Sequence, residues 1–430
     1  MMVTMTLFGS FILFLMISVP IGISLGMASV VTILTAKPIS IESFTQTMIQ
    51  GLNSFPLMAV PLFTFAGDIM GRGGISKRLL QVTGLLFGRF KGGLGLVSIA
   101  ACLFFAAISG TGSATVAAIG LLMIPEMVRK GYGKTFSGAL IASAGTVGVI
   151  IPPSVCMVIY AVAAGVSVTG MFMAGVGPGL LIGIGLSLYT LIYSIKKGYE
   201  GSREKHSFKD IILILVEAVP ALLVPVFVLG GIYGGVFTPT EAAAVACIYG
   251  IIVSVFVYKE VKISDLLSIG YNAALLCAAV LVIIGISAGF GRILTITNIP
   301  VMIANSILEI TSNKIVILIF INILLLIVGT FMETNASIII LVPILLPVVT
   351  ALGVNPIHFG VIMVLNLAIG FVTPPLGCNL FMACQISDIK FDDIAKAILP
   401  WIAVMIVVLL VVTYVPNISL WLPKLLNMRI

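Results

Sequence analysis

Two stretches of this chain carry a pattern that breaks a membrane helix. Gly148-Val-Ile-Ile-Pro-Pro-Ser-Val-Cys156 and Gly370-Phe-Val-Thr-Pro-Pro-Leu-Gly-Cys378 share G-x-x-x-P-P-x-x-C, 222 residues apart in a chain of 430. Proline has no N–H and its ring clashes with the preceding turn, so a Pro-Pro pair ends a helix. Both pairs lie inside long apolar runs. Carbonyls and N–H groups freed there find no partner in hydrocarbon and must face protein or a wet cavity. Two further interruptions, Ser109-Gly-Thr-Gly-Ser113 and Gly329-Thr-Phe-Met-Glu-Thr-Asn335, split apolar segments of their own.

These four interruptions offer hydroxyls, freed carbonyls and half-helix ends. Neutral oxygens in a dehydrated pocket suit a monovalent cation such as Na⁺, whereas divalent cations usually take carboxylates. Half-helix N-termini present positive dipole ends to an anion. The expected Na⁺ ligands are Ser109, Ser113, Gly145, Gly148 and Pro152 around the first break, and Gly329, Thr330, Gly370 and Thr373 around the second. The expected substrate contacts are Thr111, Ser154, Glu333, Asn335, Gly377 and Asn379. Ile151 stands where the second break has Thr373, so the two breaks are not identical. Asp68, Glu241 and Arg292 are charges in apolar surroundings. Each has a plain alternative: pairing or snorkelling for Asp68, helix capping for Glu241, the end of a span for Arg292.

The elements that position these residues follow from composition. Sixty per cent of residues are hydrophobic and 9% are charged, against roughly 25% charged in soluble domains. The class is an all-α polytopic membrane protein, a chain of many spans at about 20 residues each. The net charge of +7 resides in short connections and reads as a topology signal, not as a nucleic-acid footprint. The clusters are Arg72 to Lys91, Arg129 to Lys134, Lys196 to Lys209 (with Arg203 and Lys205), Lys259/Lys262 and Lys390/Lys396. Basic loops stay in the cytoplasm, so Lys91 and Arg129 share a side. The apolar segment between them then reads as a re-entrant helical hairpin with its tip at Ser109–Thr115. Residues 314–350 repeat the design from the opposite face. The 222-residue spacing also pairs Ser113 with Asn335, Thr115 with Ser337 and Pro125 with Pro347.

The expected organisation is therefore two inverted repeats. The first covers 1–200, with a hairpin at about 91–129 and a broken helix at about 134–165. An inter-repeat loop and connecting helix cover 201–236. The second repeat covers 237–396, with a hairpin at about 314–350 and a broken helix at about 355–386, and a C-terminal membrane helix covers 397–430. Met5 to Leu34 lacks a basic leader and reads as the first membrane helix rather than a signal peptide. Pro38–Ile49 and Ile263–Gly270 read as amphipathic arms along the interface. Trp401 and Trp421 are either interface anchors or buried aromatics. Cys102, Cys156, Cys247, Cys277, Cys378 and Cys384 lack metal-ligand spacing and read as small buried hydrophobes. There is no G-x-x-x-x-G-K-[ST] loop or H-E-x-x-H, and His206 and His358 sit in or near connections, so the chain does not read as an enzyme.

The first tip (Ser109 to Gly120), Gly145 to Pro153, Phe237-Thr-Pro-Thr-Glu-Ala-Ala243 and Gly370 to Gly377 together resemble the large membrane subunit of the tripartite ATP-independent periplasmic (TRAP) transporters, over essentially the whole chain. The resemblance implies an elevator-type symporter in the bacterial inner membrane. A mobile domain bearing the hairpins and breaks would move against a fixed scaffold, and Na⁺, with no organic cofactor, would drive uptake of small organic anions. It also implies a periplasmic substrate-binding protein and a separate small membrane subunit of about four helices. The competing expectation is a stand-alone Na⁺/divalent-anion elevator carrier that needs no binding protein.

Overall fold

A computed structural model describes residues 2–201, 207–311, 313–426 and 428. Arg203, Lys205 and His206 fall outside that set. Among the described residues every regular element is helical. The N-terminal part holds α1 (Met2–Met16), α2 (Ile21–Ala36), α3 (Ile41–Leu52), α4 (Ala59–Arg72) and α5 (Ile75–Phe87). Then come α6 (Gly93–Ser109), α7 (Gly112–Arg129), α8 (Lys134–Gly145), α9 (Val155–Ala164) and α10 (Val168–Lys197). The middle contributes α11 (Phe208–Tyr233), α12 (Pro239–Ile251), α13 (Ile263–Ile296) and α14 (Ile299–Ile310). The last stretch contains α15 (Lys314–Phe331), α16 (Thr334–Ala351), α17 (Pro356–Gly370), α18 (Cys378–Ser387), α19 (Phe391–Ala397), α20 (Leu399–Tyr414) and α21 (Asn417–Leu425). Among the described residues seven helices are long and apolar enough to cross a membrane, or nine if each of two sharply bent pairs counts as one span. The chain is a multi-pass membrane protein.

The interruptions fall where the backbone chemistry demands. Gly110 takes the left-handed conformation (φ 65°) and Thr111 is extended, which ends α6 and starts α7 in reverse. Met332 is extended, and the Glu333 carboxylate accepts the Ala336 N–H at 3.0 Å to cap α16. Gly148 and Gly370 each precede a stretch without regular helix that carries the Pro-Pro pair, and both Pro-Pro bonds are cis. The boundaries of α6 and α7, advanced by 222 residues, coincide with those of α15 and α16 to within one residue.

The core is built around α8 and α17. From Phe136 to Gly145 and from Ile357 to Gly370 every residue is buried, polar ones included. Such helices are hydrophobic all round because protein surrounds them on all sides. Each runs straight into one of the Pro-Pro breaks, so both breaks lie deep in the fold.

Two helix assignments change and several open alternatives are decided. Met5 to Leu34 is not one span: α1 and α2 pack against each other as a hairpin. Ser18 is left-handed (φ 64°) and Pro20 cannot continue the preceding helix. Residues 263–270 are not a separate arm but the first turns of α13, a helix of 34 residues that reaches about 51 Å. No proline interrupts it, and Asp265 caps its start by accepting the Lys262 N–H at 3.0 Å. Trp401 is a core aromatic, 1% exposed and edge-on to Tyr189 at 4.6 Å. Trp421 is 45% exposed, so only this one is free for an interfacial role. Glu241 resolves in favour of capping, since its carboxylate accepts the Thr238 N–H and hydroxyl at 2.8 Å each. Cys102, Cys156, Cys247 and Cys277 are buried, while Cys378 is exposed.

Candidate functional site

Both hairpin tips open onto one cavity of about 520 Å³. Ser109, Thr111 and Ser113 reach it from the first tip, and Glu333 and Asn335 from the second. Asp68 on α4 and Cys277 on α13 close the opposite wall. Residues far apart in sequence are thus neighbours here because each tip is pinned by a helix break.

The first tip is locked by contacts that only glycine permits. A Cβ on Gly148 would lie 2.3 Å from the Thr111 carbonyl oxygen and 2.6 Å from Thr115 Oγ1. A Cβ on Gly110 would lie 2.7 Å from the Pro153 carbonyl oxygen, and the Gly110 carbonyl accepts the Val155 N–H at 3.3 Å. Gly145 and Gly112 approach less tightly, an added Cβ on either lying 3.3 or 3.2 Å from the other's carbonyl oxygen, but one on Gly145 would lie 2.2 Å from Val116 Cγ2. At this junction three oxygens converge. Ser109 Oγ lies 3.0 Å from Thr115 Oγ1 and 3.3 Å from the Thr111 carbonyl, and Thr115 Oγ1 donates to that carbonyl at 2.8 Å. Pro152 is buried within the break, and the Ser154 hydroxyl is engaged there too, donating to the Val149 carbonyl at 2.6 Å and capping α9.

The second tip repeats the contact in another form. A Cβ on Gly370 would lie 2.2 Å from the carbonyl carbon and oxygen of Gly329. The Thr330 hydroxyl donates to Leu326 O at 2.9 Å and the Thr373 hydroxyl to Ile369 O at 2.8 Å. Both hydroxyl oxygens keep lone pairs for another partner. Thr334 Oγ1 is buried with no hydrogen-bond partner. Gly377 is left-handed (φ 68°) at the start of α18.

The two halves also interlock across the repeat. Asn379 is fully buried, its amide donating to the Ala142 carbonyl of α8 at 3.3 Å, while its Oδ1 is unpartnered. Gly112 of the first tip approaches both Asn379 and Phe371 of the second break. Asn335 Nδ2 donates to Glu333 at 2.7 Å, and its Oδ1 accepts from Cys156 Sγ of α9 at 3.3 Å. Sequence reading pairs each tip with its own half alone. It counts Thr334 among the second-tip residues but leaves both Thr334, which lacks a partner, and Thr115 out of the ligand set. Thr115 is findable as a hydroxyl six residues beyond Ser109 in a membrane segment. Asp68, for which pairing or snorkelling was the alternative, makes no hydrogen bond or ion pair within 4 Å among the described residues, and it faces the cavity.

A helical membrane protein with two hairpin tips meeting two helix breaks at one central cavity is a transporter. The fold is similar to the YdaH transporter of Alcanivorax borkumensis, with a TM-score of 0.64 at 16% identity over 91% of this chain and 90% of that one. Residues 8–418 match the family of the DctM component of tripartite ATP-independent periplasmic transporters, and the chain belongs to that family. It is 50% identical to the isethionate TRAP transporter permease DctMQ of Oleidesulfovibrio alaskensis over 96% of its length, spanning 65% of that longer protein. It is 39% identical to the C4-dicarboxylate large permease DctM of Vibrio cholerae, covering 96% of this chain and 95% of that one. It is 37% identical to the sialic acid large permease SiaM of the same organism, covering 94% and 95%. The chain is a permease subunit and not an enzyme.

Proposed function

We propose that the chain is the transport subunit of a Na⁺-coupled, binding-protein-dependent symporter for small organic anions in a bacterial inner membrane. The observation that carries this reading is the single cavity shared by both tips, each tip held at backbone distance by a helix break. Cation and anion bound on the same tips are coupled, since each favours the arrangement that the other prefers. The relatives named for isethionate, C4-dicarboxylates and sialic acid all handle small organic acids, so the substrate is an anion of that kind.

The residues fit Na⁺ at two places. Ser109 Oγ, Thr115 Oγ1 and the Thr111 carbonyl offer neutral oxygens beside Gly145, Gly148 and Pro152. Thr330, Thr373 and the unpartnered Thr334 hydroxyl offer them beside Gly329 and Gly370. Na⁺ bound at these places would supply the driving force and fix the tips. Thr111, Glu333 and Asn335 face the cavity and are the substrate contacts of this reading, Ser113 faces it as well and stays with the first cation place, and Asn379 positions the first tip from behind. The hairpins α6/α7 and α15/α16, with α8, α9, α17 and α18, form the moving body of an elevator built from inverted repeats. A separate small membrane subunit and a periplasmic binding protein complete the assembly.

Two measurements test this. Thr115→Val keeps the shape but removes one oxygen. It is expected to raise the Na⁺ concentration for half-maximal uptake about tenfold, the loss of roughly one hydrogen-bond-scale contact to a charge, with the substrate KM at saturating Na⁺ changed less. An unaltered Na⁺ dependence would remove the first cation centre. For topology, a cysteine introduced between Arg129 and Lys134 is expected to react with impermeant reagents only from the cytoplasm, and one at Asn355 only from outside. Periplasmic labelling of the 129–134 loop sinks the orientation and the first re-entrant hairpin with it.

A further inference from the structure

A second cavity of about 570 Å³ lies beyond the first along α13. Ile283 lines the tip cavity and Ile284 the second one, so the two adjoin on a single helix. The second is walled by α3, α9, α16 and the start of α14. Its charge is the reverse of the first. The tip cavity carries Asp68 and Glu333 and no basic side chain among the described residues. The second carries Arg292 and no acidic one among the described residues. Arg292 is exposed and makes no ion pair within 4 Å among the described residues. Ser287, one turn and a little more before it, is 3% exposed, lines the cavity, and its hydroxyl has no hydrogen-bond partner. Thr47 and Thr295 also line it, but their hydroxyls already donate to the Ser43 and Gly291 carbonyls. A buried free hydroxyl and a guanidinium therefore share a largely apolar pocket in which no described residue supplies an anion.

We infer that this pocket is a second binding site, for a small soluble organic oxyanion, with Arg292 as its counter-charge and Ser287 as a hydrogen-bond donor. The inference rests on the transport reading above and extends it. A guanidinium presents several donors to a carboxylate or sulfonate, and low-dielectric walls strengthen the attraction relative to bulk water. Cys277 in the tip cavity and Arg292 are 15 residues apart on α13, about 22 Å. Along that helix the anion meets the attractive pocket at Arg292 and, near Cys277, the cavity into which α4 and the second tip bring Asp68 and Glu333. Arg292 gathers the anion on the side where α13 ends, before the tips take it over with its cations. A phospholipid headgroup offers the same oxyanion chemistry, and the test separates the two sources.

The test reads charge selectivity at the pocket without requiring transport. Thr295 lines the cavity and is exposed, so Thr295→Cys serves as reporter, in a full-length chain also carrying Cys378→Ser and Cys384→Ser. Reaction rates are compared for two thiol reagents, 2-sulfonatoethyl and 2-(trimethylammonium)ethyl methanethiosulfonate. With Arg292 present the sulfonate reagent is expected to gain about tenfold relative to the cationic one. Arg292→Gln is expected to erase that ratio and Arg292→Lys to keep most of it. Millimolar isethionate is expected to slow labelling only where position 292 is basic. A ratio that Arg292→Gln leaves unchanged overturns the site. Protection by phosphatidylglycerol but not by isethionate overturns the soluble-anion assignment in favour of a lipid headgroup. Because labelling needs no ion gradient, an Arg292-dependent ratio in a protein that shows no Na⁺-driven uptake separates failure of the transport reading from failure of this site.

Discussion

Gly370→Ala is expected to reduce uptake at least about a hundredfold while leaving a folded, monodisperse protein. The added Cβ would meet the carbonyl carbon and oxygen of Gly329 at 2.2 Å. Those are backbone atoms, so no side chain can swing aside. The end of α15 must part from the end of α17, and overpacking of this kind costs roughly 1–3 kcal/mol. Most of that cost falls on the arrangement in which tip and break are closed, the one proposed above to hold the cation. A displacement of about an ångström at a binding centre is enough for a hundredfold loss. Gly84→Ala provides the control, because nothing lies within 4 Å of its added methyl, and it is expected to transport normally. Normal uptake by Gly370→Ala would show that the closed second tip is not part of the transport cycle.

The second large effect concerns what drives and feeds the protein. In liposomes, replacing external Na⁺ with K⁺ is expected to bring uptake to background at any membrane potential or proton gradient. The chain alone, under an inward Na⁺ gradient, is expected to be equally silent, and adding the small membrane subunit alone is not expected to rescue it. Adding the substrate-loaded binding protein as well is expected to restore uptake. The physical reason is linkage: docking drives opening only by its differential affinity for the open state. Without docking, a cavity bearing Asp68 and Glu333 has little to offer a free anion. Robust Na⁺-driven uptake by this chain by itself would reject the tripartite assembly and favour a stand-alone carrier. Uptake that follows protons and ignores Na⁺ would instead remove both cation centres.

Much of the site was legible because its parts are local. Gly110, Gly148, Gly370 and the Pro-Pro pairs act through their own φ angles, missing Cβ atoms and missing N–H groups, properties that need no partner to be recognised. The recurrence at 222 residues marks both tips without knowledge of any contact, and helix boundaries recur at the same spacing. The misreadings have a common origin. A long apolar segment such as Met5 to Leu34 looks the same whether it is one helix or a hairpin, until Ser18 and Pro20 are seen to turn the chain. Mixed polarity at 263–270 looks the same in an arm or in the end of a helix that projects beyond its neighbours.

By itself, then, the sequence determined the class of protein, the places where its helices stop and the kinds of atom set free there. These follow from composition and from covalent geometry. Tertiary structure alone decided which breaks meet which tips. The Gly112–Asn379 and Cys156–Asn335 contacts join segments from opposite halves, and Asp68 and Arg292 turn out to face adjoining cavities of opposite charge. In a membrane, leucine is as much at home against lipid as against protein, so hydrophobicity does not say which face of a helix is buried. Trp401 lies in the core while much of α11 remains exposed, and only the close packing of small residues across the chain settles such choices.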